Sequence, residues 1–351
     1  MGFTMRGRTM KTTSRKIVIS LAMVLVLLLT ACSGNNSSSN TSTGSTAPDP
    51  TKKDLVEIKL GYQKGMPLLS LLKEKSNLAE RLEAEGFKIS WNEFAATPAM
   101  LEAMVDGGIV FGGGGATGSI YAQQAGRSFV RIGAQTGVSG GSSIIVRGDS
   151  DIQSVKDLKG KKVVVSKGTT QHYMLVRALE KEGLSVNDIQ LQFIQPAEAF
   201  SAFGSKNFDA WAIWDPFTAE AEASFDARVI ADNTSVFGDK APLEGENLYY
   251  AERKFANEHP HAIKIILDEL AIVGKWANEN TDEAAKILAN LYSSNVDILK
   301  VVEERGGTRE ILPMSEVTIE PLQNISDFFY EQGVIPEKLN ASDENFNWVL
   351  K

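Results

Sequence analysis

From about residue 55 onward the chain alternates two kinds of apolar spacing. Val56, Ile58 and Leu60 occupy every second position, the period of a strand with one buried face. Pro67 then opens a run in which Leu68, Leu71, Leu72, Leu78 and Leu82 fall at helical spacings, and Gly86 ends it. The alternation continues with strand-like 87–94 and a short helix entered through Thr97-Pro98, which reads as N-cap and first helical residue. A short strand over 109–111 runs into glycines, and 142–147 reads as another strand. Further apolar strands fall at 163–165, 189–194 and 210–213, each followed by a helical segment. After about Tyr250 three helical stretches, 258–276, 281–292 and 317–333, take over. The pattern predicts an α/β protein with mostly parallel sheets, in two lobes, with a helical tail that packs back on the first. No repeat occurs at solenoid periods.

The first fifty residues follow a different pattern. Residues 17–31 are almost unbroken apolar positions behind Arg6, Arg8, Lys11, Arg15 and Lys16. Fifteen residues fall short of the ~20 that span a bilayer as a helix, so the segment reads as a signal peptide. It ends in Leu29-Thr30-Ala31-Cys32, and small residues before a cysteine are the cleavage pattern of a bacterial lipoprotein signal. Cys32 would then become the lipidated first residue; a secretory signal with an incidental cysteine is the alternative. It is the single cysteine of the chain, so no internal disulfide can form. Residues 33–50 are nearly all small and polar, a flexible leash of roughly 20–25 Å on average. The expected organisation is a signal peptide over 1–31 and a lipidated cysteine with linker over 32–52. Residues 53–143 and 247–351 would form one lobe and 144–246 the other. The mature protein is expected outside the cytoplasm, held at a membrane face by its lipid alone.

Charge narrows the partners. Of 36 basic and 44 acidic residues, 1–31 hold five basic and no acidic ones, which leaves 31 against 44 and a net charge of −13. A general positive field for nucleic acid or anionic lipid is therefore excluded. Any anion must be held by a local site. The 43 % of hydrophobic residues supports one large or two medium domains with real cores.

Three segments carry candidate chemistry. Phe111 leads through Gly112-Gly113-Gly114-Gly115-Ala116-Thr117-Gly118-Ser119 into helix-like 120–126, an arrangement that brings backbone N–H groups to a point where an anion can sit. The glycines alternatively serve only a tight turn. A dinucleotide site fails because 107–148 contain no Asp or Glu for the ribose, and a P-loop fails because no Lys follows the glycines. Lys167-Gly168-Thr169-Thr170-Gln171-His172 lies between a strand and a helix; its threonines cap that helix, or aim hydroxyl and N–H groups at a second face of the same anion. Trp211-Ala212-Ile213-Trp214-Asp215-Pro216-Phe217 supplies two indoles for an apolar tail, with Trp214 nearer the strand end, while Asp215-Pro216 doubles as an N-cap pair. Gly137-Val138-Ser139-Gly140-Gly141 matches a nucleophile elbow, but a strand follows where a helix should. An extracellular esterase using Ser139 is thus the weaker alternative, and three histidines in all argue against a dedicated metal site.

Together these segments resemble the solute-binding proteins of ABC importers for aliphatic sulfonates, within the wider nitrate, sulfonate and taurine group. The matching stretches are Gly61-Tyr62-Gln63-Lys64-Gly65, Leu101-Glu102-Ala103-Met104, Tyr121-Ala122-Gln123-Gln124-Ala125-Gly126, Asp157-Leu158-Lys159-Gly160-Lys161, Lys167 to His172 and Ala210 to Phe217. A C-terminal signature follows in Phe328-Phe329-Tyr330-Glu331-Gln332-Gly333-Val334-Ile335-Pro336, so the resemblance covers about residues 55 to 340. It implies a two-lobed, periplasmic-binding-protein-like fold of type II, with a two-stranded hinge that closes the lobes over the ligand. It also implies a monomer without cofactor or metal, no catalysis, and docking on a permease with a cytoplasmic ATPase. The implied pocket residues are Gln63, Gly114, Gly115, Ala116, Thr117, Thr169, Thr170, Gln171, His172, Trp214 and Asp215, with Ser139 a further candidate. Nitrate, taurine and a thiamine-precursor pyrimidine stay open as ligands beside a sulfonate, and a signalling receptor without an importer stays open as a function.

One departure bears on specificity. Relatives usually carry Gly-Asp in the glycine loop, where this chain has Gly115-Ala116-Thr117-Gly118. The missing carboxylate predicts a simple or unusual anion as ligand rather than a zwitterion such as taurine.

Overall fold

The computed structural model describes residues 55–136, 141–241 and 247–349. The segments expected to be signal and leash, Cys32 and Ser139 lie outside them.

The first half of the chain runs β1 (Val56–Tyr62), α1 (Pro67–Lys75), α2 (Leu78–Ala84), β2 (Phe87–Glu93), α3 (Thr97–Val105), β3 (Phe111–Gly115), α4 (Thr117–Gln124) and β4 (Val130–Gln135). The middle runs β5 (Ser142–Val146), β6 (Lys162–Val165), α5 (Thr170–Lys181), β7 (Gln190–Phe193), α6 (Pro196–Gly204), β8 (Ala210–Trp214), α7 (Phe217–Phe225), β9 (Arg228–Asp232) and α8 (Asn233–Phe237). The last part runs β10 (Asn247–Ala251), α9 (Arg253–Glu258), α10 (Pro260–Glu279), α11 (Thr281–Tyr292), α12 (Val296–Arg305), β11 (Ile311–Leu312) and α13 (Glu316–Glu331).

The strands form two sheets, ordered β11-β4-β10-β3-β1-β2 and β7-β6-β8-β5-β9. Both are mixed, which corrects the expectation of mostly parallel sheets. β1 pairs parallel with β2 and β3, yet β10 inserts antiparallel between β3 and β4. In the second sheet β5 inserts antiparallel between β8 and β9. The inserted strands β5 and β10 each follow a passage of the chain from one sheet to the other, and so run against their neighbours. Ser142 and Ser143 already belong to the second sheet through pairing with Trp214 and Ile213.

The helical tail packs where the pattern placed it. Ile263, Leu270, Leu288 and Leu299 share a core with Ile58, Leu60, Leu68 and Leu72 of the first sheet's layer. On the opposite face Leu322, Ile325 and Phe329 pack with Met100, Ile120 and Phe129. Predicted 281–292 matches α11, while α10 and α13 begin within two residues of the predicted starts.

The glycine run is not a turn. Gly112 to Gly115 are strand β3, with no positive φ among them. An added Cβ would meet Met100 Sδ at 2.6 Å from Gly112, Met66 Sδ at 2.9 Å from Gly113 and Thr97 Oγ1 at 2.1 Å from Gly114. Glycine is needed here because neighbouring side chains press onto the strand, so the conformational reading gives way to a packing one.

Candidate functional site

The C-terminal end of β3 and the N-terminal end of α5 border one cavity of about 70 Å³, room for a few water-sized groups. Its floor is the edge of the first sheet, where Gly115, Asn247 and Gln135 stand side by side on β3, β10 and β4. Thr169, Thr170 and Gln171 face it from α5, with Gly141 and Ser142 at β5 and Trp214 and Asp215 at the end of β8. Gln63, Gly65, Met66, Pro67 and Thr97 close one side; Val302, Gly306 and Arg309 close another.

Contact across this cavity is tight. A Cβ on Gly115 would lie 2.3 Å from Thr170 Oγ1, and one on Gly65 would lie 2.3 Å from Trp214 Nε1. Trp214 thus faces the cavity, whereas Trp211 is fully buried among Phe200, Phe203, Phe208 and Phe217.

The two threonines differ in their hydrogen bonds. Thr169 caps α5: its hydroxyl donates to Ser166 O at 2.8 Å and accepts from His172 N at 3.4 Å. Thr170 Oγ1 is buried and has no partner among the described residues. A buried hydroxyl left unpaired at a helix start, on a cavity wall, is a donor held in reserve. Gln171 Nε2 donates to Ser142 Oγ at 2.7 Å, and Gln63 Nε2 donates to Gly113 O at 2.7 Å and Thr97 Oγ1 at 3.2 Å. Thr97, read as an N-cap, is instead the first residue of α3 and accepts this bond.

Asp215 has two faces. Oδ1 accepts from Ala219 N at 3.1 Å and from Arg305 Nη1 at 3.4 Å, while Oδ2 is buried without a described partner. Burial pushes its carboxyl up to about 6, against the pull of Arg305. Arg305 also bonds Glu222 Oε2 at 2.6 Å, so one guanidinium joins α12 to the β8–α7 corner. Helix α7 begins at Phe217 with Pro216 at the N-cap position, so Asp215 stands one residue before the cap it was expected to occupy and reaches the first turn only through Ala219 N.

Several expected residues do not reach the cavity wall. Gly114 is pressed against Thr97 and Gln63. Ala116 is packed in the core with Ile120 and Phe129, and Thr117 is wholly buried. His172 points away: its Nδ1 meets Tyr121 Oη at 3.3 Å and its ring lies against Phe193 and Phe329. Burial first, then Lys167, push its pKa down to about 4, so the ring is neutral near pH 7. Other wall residues were missed from sequence, chiefly Gln135, Ser142, Asn247 and Arg309. The first three are polar residues at the ends of wholly buried strands, a signal that marks a sheet edge opening on a site. Arg309 adds a cation to the wall; its Nη2 donates to Glu303 Oε1 at 2.7 Å, both side chains being almost fully buried.

Known proteins align along most of this framework. The family model described as NMT1/THI5 like matches residues 82–284. A chain of Escherichia coli (strain K12) that carries the name aliphatic sulfonates-binding protein is 32 % identical over 283 residues, 81 % of this chain and 86 % of its own. Among solved structures, the alkanesulfonate-binding protein SsuA from Xanthomonas axonopodis pv. citri, bound to MOPS, superposes with TM-score 0.77 at 29 % identity, covering 84 % of this chain and 99 % of its own. The periplasmic aliphatic sulphonate binding protein SsuA from Escherichia coli gives 0.73 at 32 %, covering 84 % and 92 %. The periplasmic-binding-protein-like fold expected from the sequence is therefore present, and this chain belongs to the NMT1/THI5-like family.

Proposed function

We propose that this protein is the extracytoplasmic solute-binding component of an ABC importer and captures an aliphatic sulfonate in the cavity between its sheets. The observation that carries the reading is the opposition of Gly115 and Thr170, with a free hydroxyl at the start of α5 and bare strand-end backbone facing it. A sulfonate presents three acceptor oxygens and one delocalised charge, which suits hydroxyl and amide donors at a helix start. Relatives named for sulfonate binding support it. In this reading 53–143 with 247–351 and 144–246 act as two lobes that close by rotation, with Ser142 and Ser143 moving with the second because they pair in its sheet; Cys32 bears the lipid, the protein works as a monomer, and a permease with its ATPase receives the ligand.

The unpartnered Asp215 Oδ2 favours a second reading, an aminoalkanesulfonate whose ammonium meets that oxygen. Titration calorimetry on the soluble form beginning after Cys32 separates the two. Butane-1-sulfonate and ethanesulfonate should bind, with taurine weaker. Tighter taurine binding selects the second reading, and no heat with any sulfonate removes both.

A further inference from the structure

Glycine 115 and Thr170 account for one end of the cavity; the other end is also polar. Asn247 and Gln135 are 8 % and 4 % exposed, and both line it. Gln135 Oε1 accepts from Tyr249 Oη at 2.8 Å, which orients the amide and leaves Nε2 without a described partner. The Asn247 amide makes no hydrogen bond to a described group. Arg309, 5 % exposed, spends Nη2 on Glu303 and gives no other bond from its guanidinium to a described group. Three buried side chains rich in N–H donors thus converge on space rather than on one another.

The spacing has a consequence for the ligand. Gly115, Asn247 and Gln135 are in register on adjacent strands, so Gly115 and Gln135 stand two strand spacings apart, roughly 10 Å. A three-carbon chain separates a sulfonate sulfur from a terminal oxygen by about 5 Å, and a hydrogen bond of about 2.9 Å at each end fills the remainder. Resting on the sulfonate reading above, we infer that Gln135, Asn247 and Arg309 form a second recognition site in the same cavity, which reads an uncharged oxygen acceptor, a hydroxyl or ether, at the far end of a short alkanesulfonate. An uncharged acceptor fits better than a second anion because Glu303 already neutralises Arg309. Glu303 Oε2 is buried without a described partner. A full negative charge placed there would meet a desolvated carboxylate.

The test compares 3-hydroxypropane-1-sulfonate with butane-1-sulfonate, which have equal numbers of heavy atoms, by calorimetry. The hydroxy compound should bind about fivefold to tenfold more tightly to the native protein. Asn247→Ala should bring that ratio close to one. Removing Arg309 alone would strand Glu303, so the second variant is the pair Arg309→Gln with Glu303→Gln, which should also lower the ratio. Equal affinities for the two probes in the native protein, or a ratio that both variants leave intact, overturn the second site while butane-1-sulfonate binding preserves the sulfonate reading. A sulfonate with a terminal carboxylate, 3-sulfopropanoate, should bind more weakly than the hydroxy probe; tighter binding refutes the preference for an uncharged group.

Discussion

Gly115 and Thr170 face each other so closely that no side chain fits between them: a Cβ on Gly115 would stand 2.3 Å from Thr170 Oγ1 and 3.3 Å from Thr170 Cβ. Turning the hydroxyl away relieves the first contact but leaves the second, because the whole threonine stands there. Gly115→Ala should therefore hold the two sides of the cavity apart. Overpacking of this kind costs about 1–3 kcal/mol, which corresponds to a loss of affinity of roughly fivefold to a hundredfold. The thermal midpoint without ligand should change little, since the halves can part to admit one methyl group. Calorimetry and a melt on the same sample check it; unchanged affinity would mean that this approach plays no part in capture.

The two threonines at the start of α5 should respond oppositely to loss of a hydroxyl. Thr169→Val removes the cap shared with Ser166 O and His172 N, so stability should fall by about 1 kcal/mol, read as a lower midpoint in urea. Thr170→Val removes a hydroxyl that bonds no described group, so stability should hold or rise. Ligand affinity should instead fall by about tenfold, the range of one hydrogen bond to a charged acceptor. If Thr169→Val proves the binding mutant and Thr170→Val the unstable one, the roles are reversed.

Much of this fold was legible in the chain because side-chain periodicity reports burial directly. Helix α11 is bounded by Thr281 and Tyr292, as its apolar spacing indicates, and α10 and α13 declare themselves similarly. Strand β3 was illegible for the opposite reason. Four glycines carry no side-chain pattern, and their need for close approach comes from Met100, Met66, Thr97 and Thr170, which meet them only in the folded chain. The antiparallel insertions of β5 and β10 were hidden too, since pairing order depends on where the chain crosses between sheets. In the site, motifs brought Gln63, Gly115, Thr169, Thr170, Gln171, Trp214 and Asp215 to the wall. Arg309 had no local signature, and it arrives through the pairing of β11 with β4, more than 170 residues away in sequence.

The proposed lipid attachment at Cys32 is tested apart from the fold. Cys32→Ser should leave the protein without lipid label, because the chain has no second cysteine to take the lipid in its place. Fractionation with metabolic labelling by a palmitate analogue measures this directly. Label retained in the serine variant would place the lipid elsewhere.

Asp215 ties stability and binding to pH; burial fixes the direction for stability, and the ligand's charge fixes it for binding. Its folded pKa, about 6, lies above the ordinary 3.8. Below pH 3.8 both folded and unfolded chains hold the proton, and between 3.8 and 6 the folded chain keeps a proton that the unfolded chain has released. The stability associated with that proton is complete below the unfolded pKa and is lost as pH rises toward 6. About two pKa units correspond to roughly 3 kcal/mol. Asp215→Asn should flatten this slope and, after losing about 1 kcal/mol of charged hydrogen bonding to Arg305, leave the protein roughly 1–2 kcal/mol more stable at pH 7. Urea titrations from pH 4 to 8 check it, and a variant less stable at pH 7 with its slope intact contradicts the argument. Binding should then report the ligand's character. A simple sulfonate near Oδ2 meets less repulsion when Asp215 is protonated, so affinity should fall from pH 5 to 8 and become level in Asp215→Asn. An ammonium-bearing sulfonate meets attraction from the ionised form, so affinity should rise over the same interval and collapse in the variant. The slope of affinity against pH thus distinguishes the two ligand classes by sign alone.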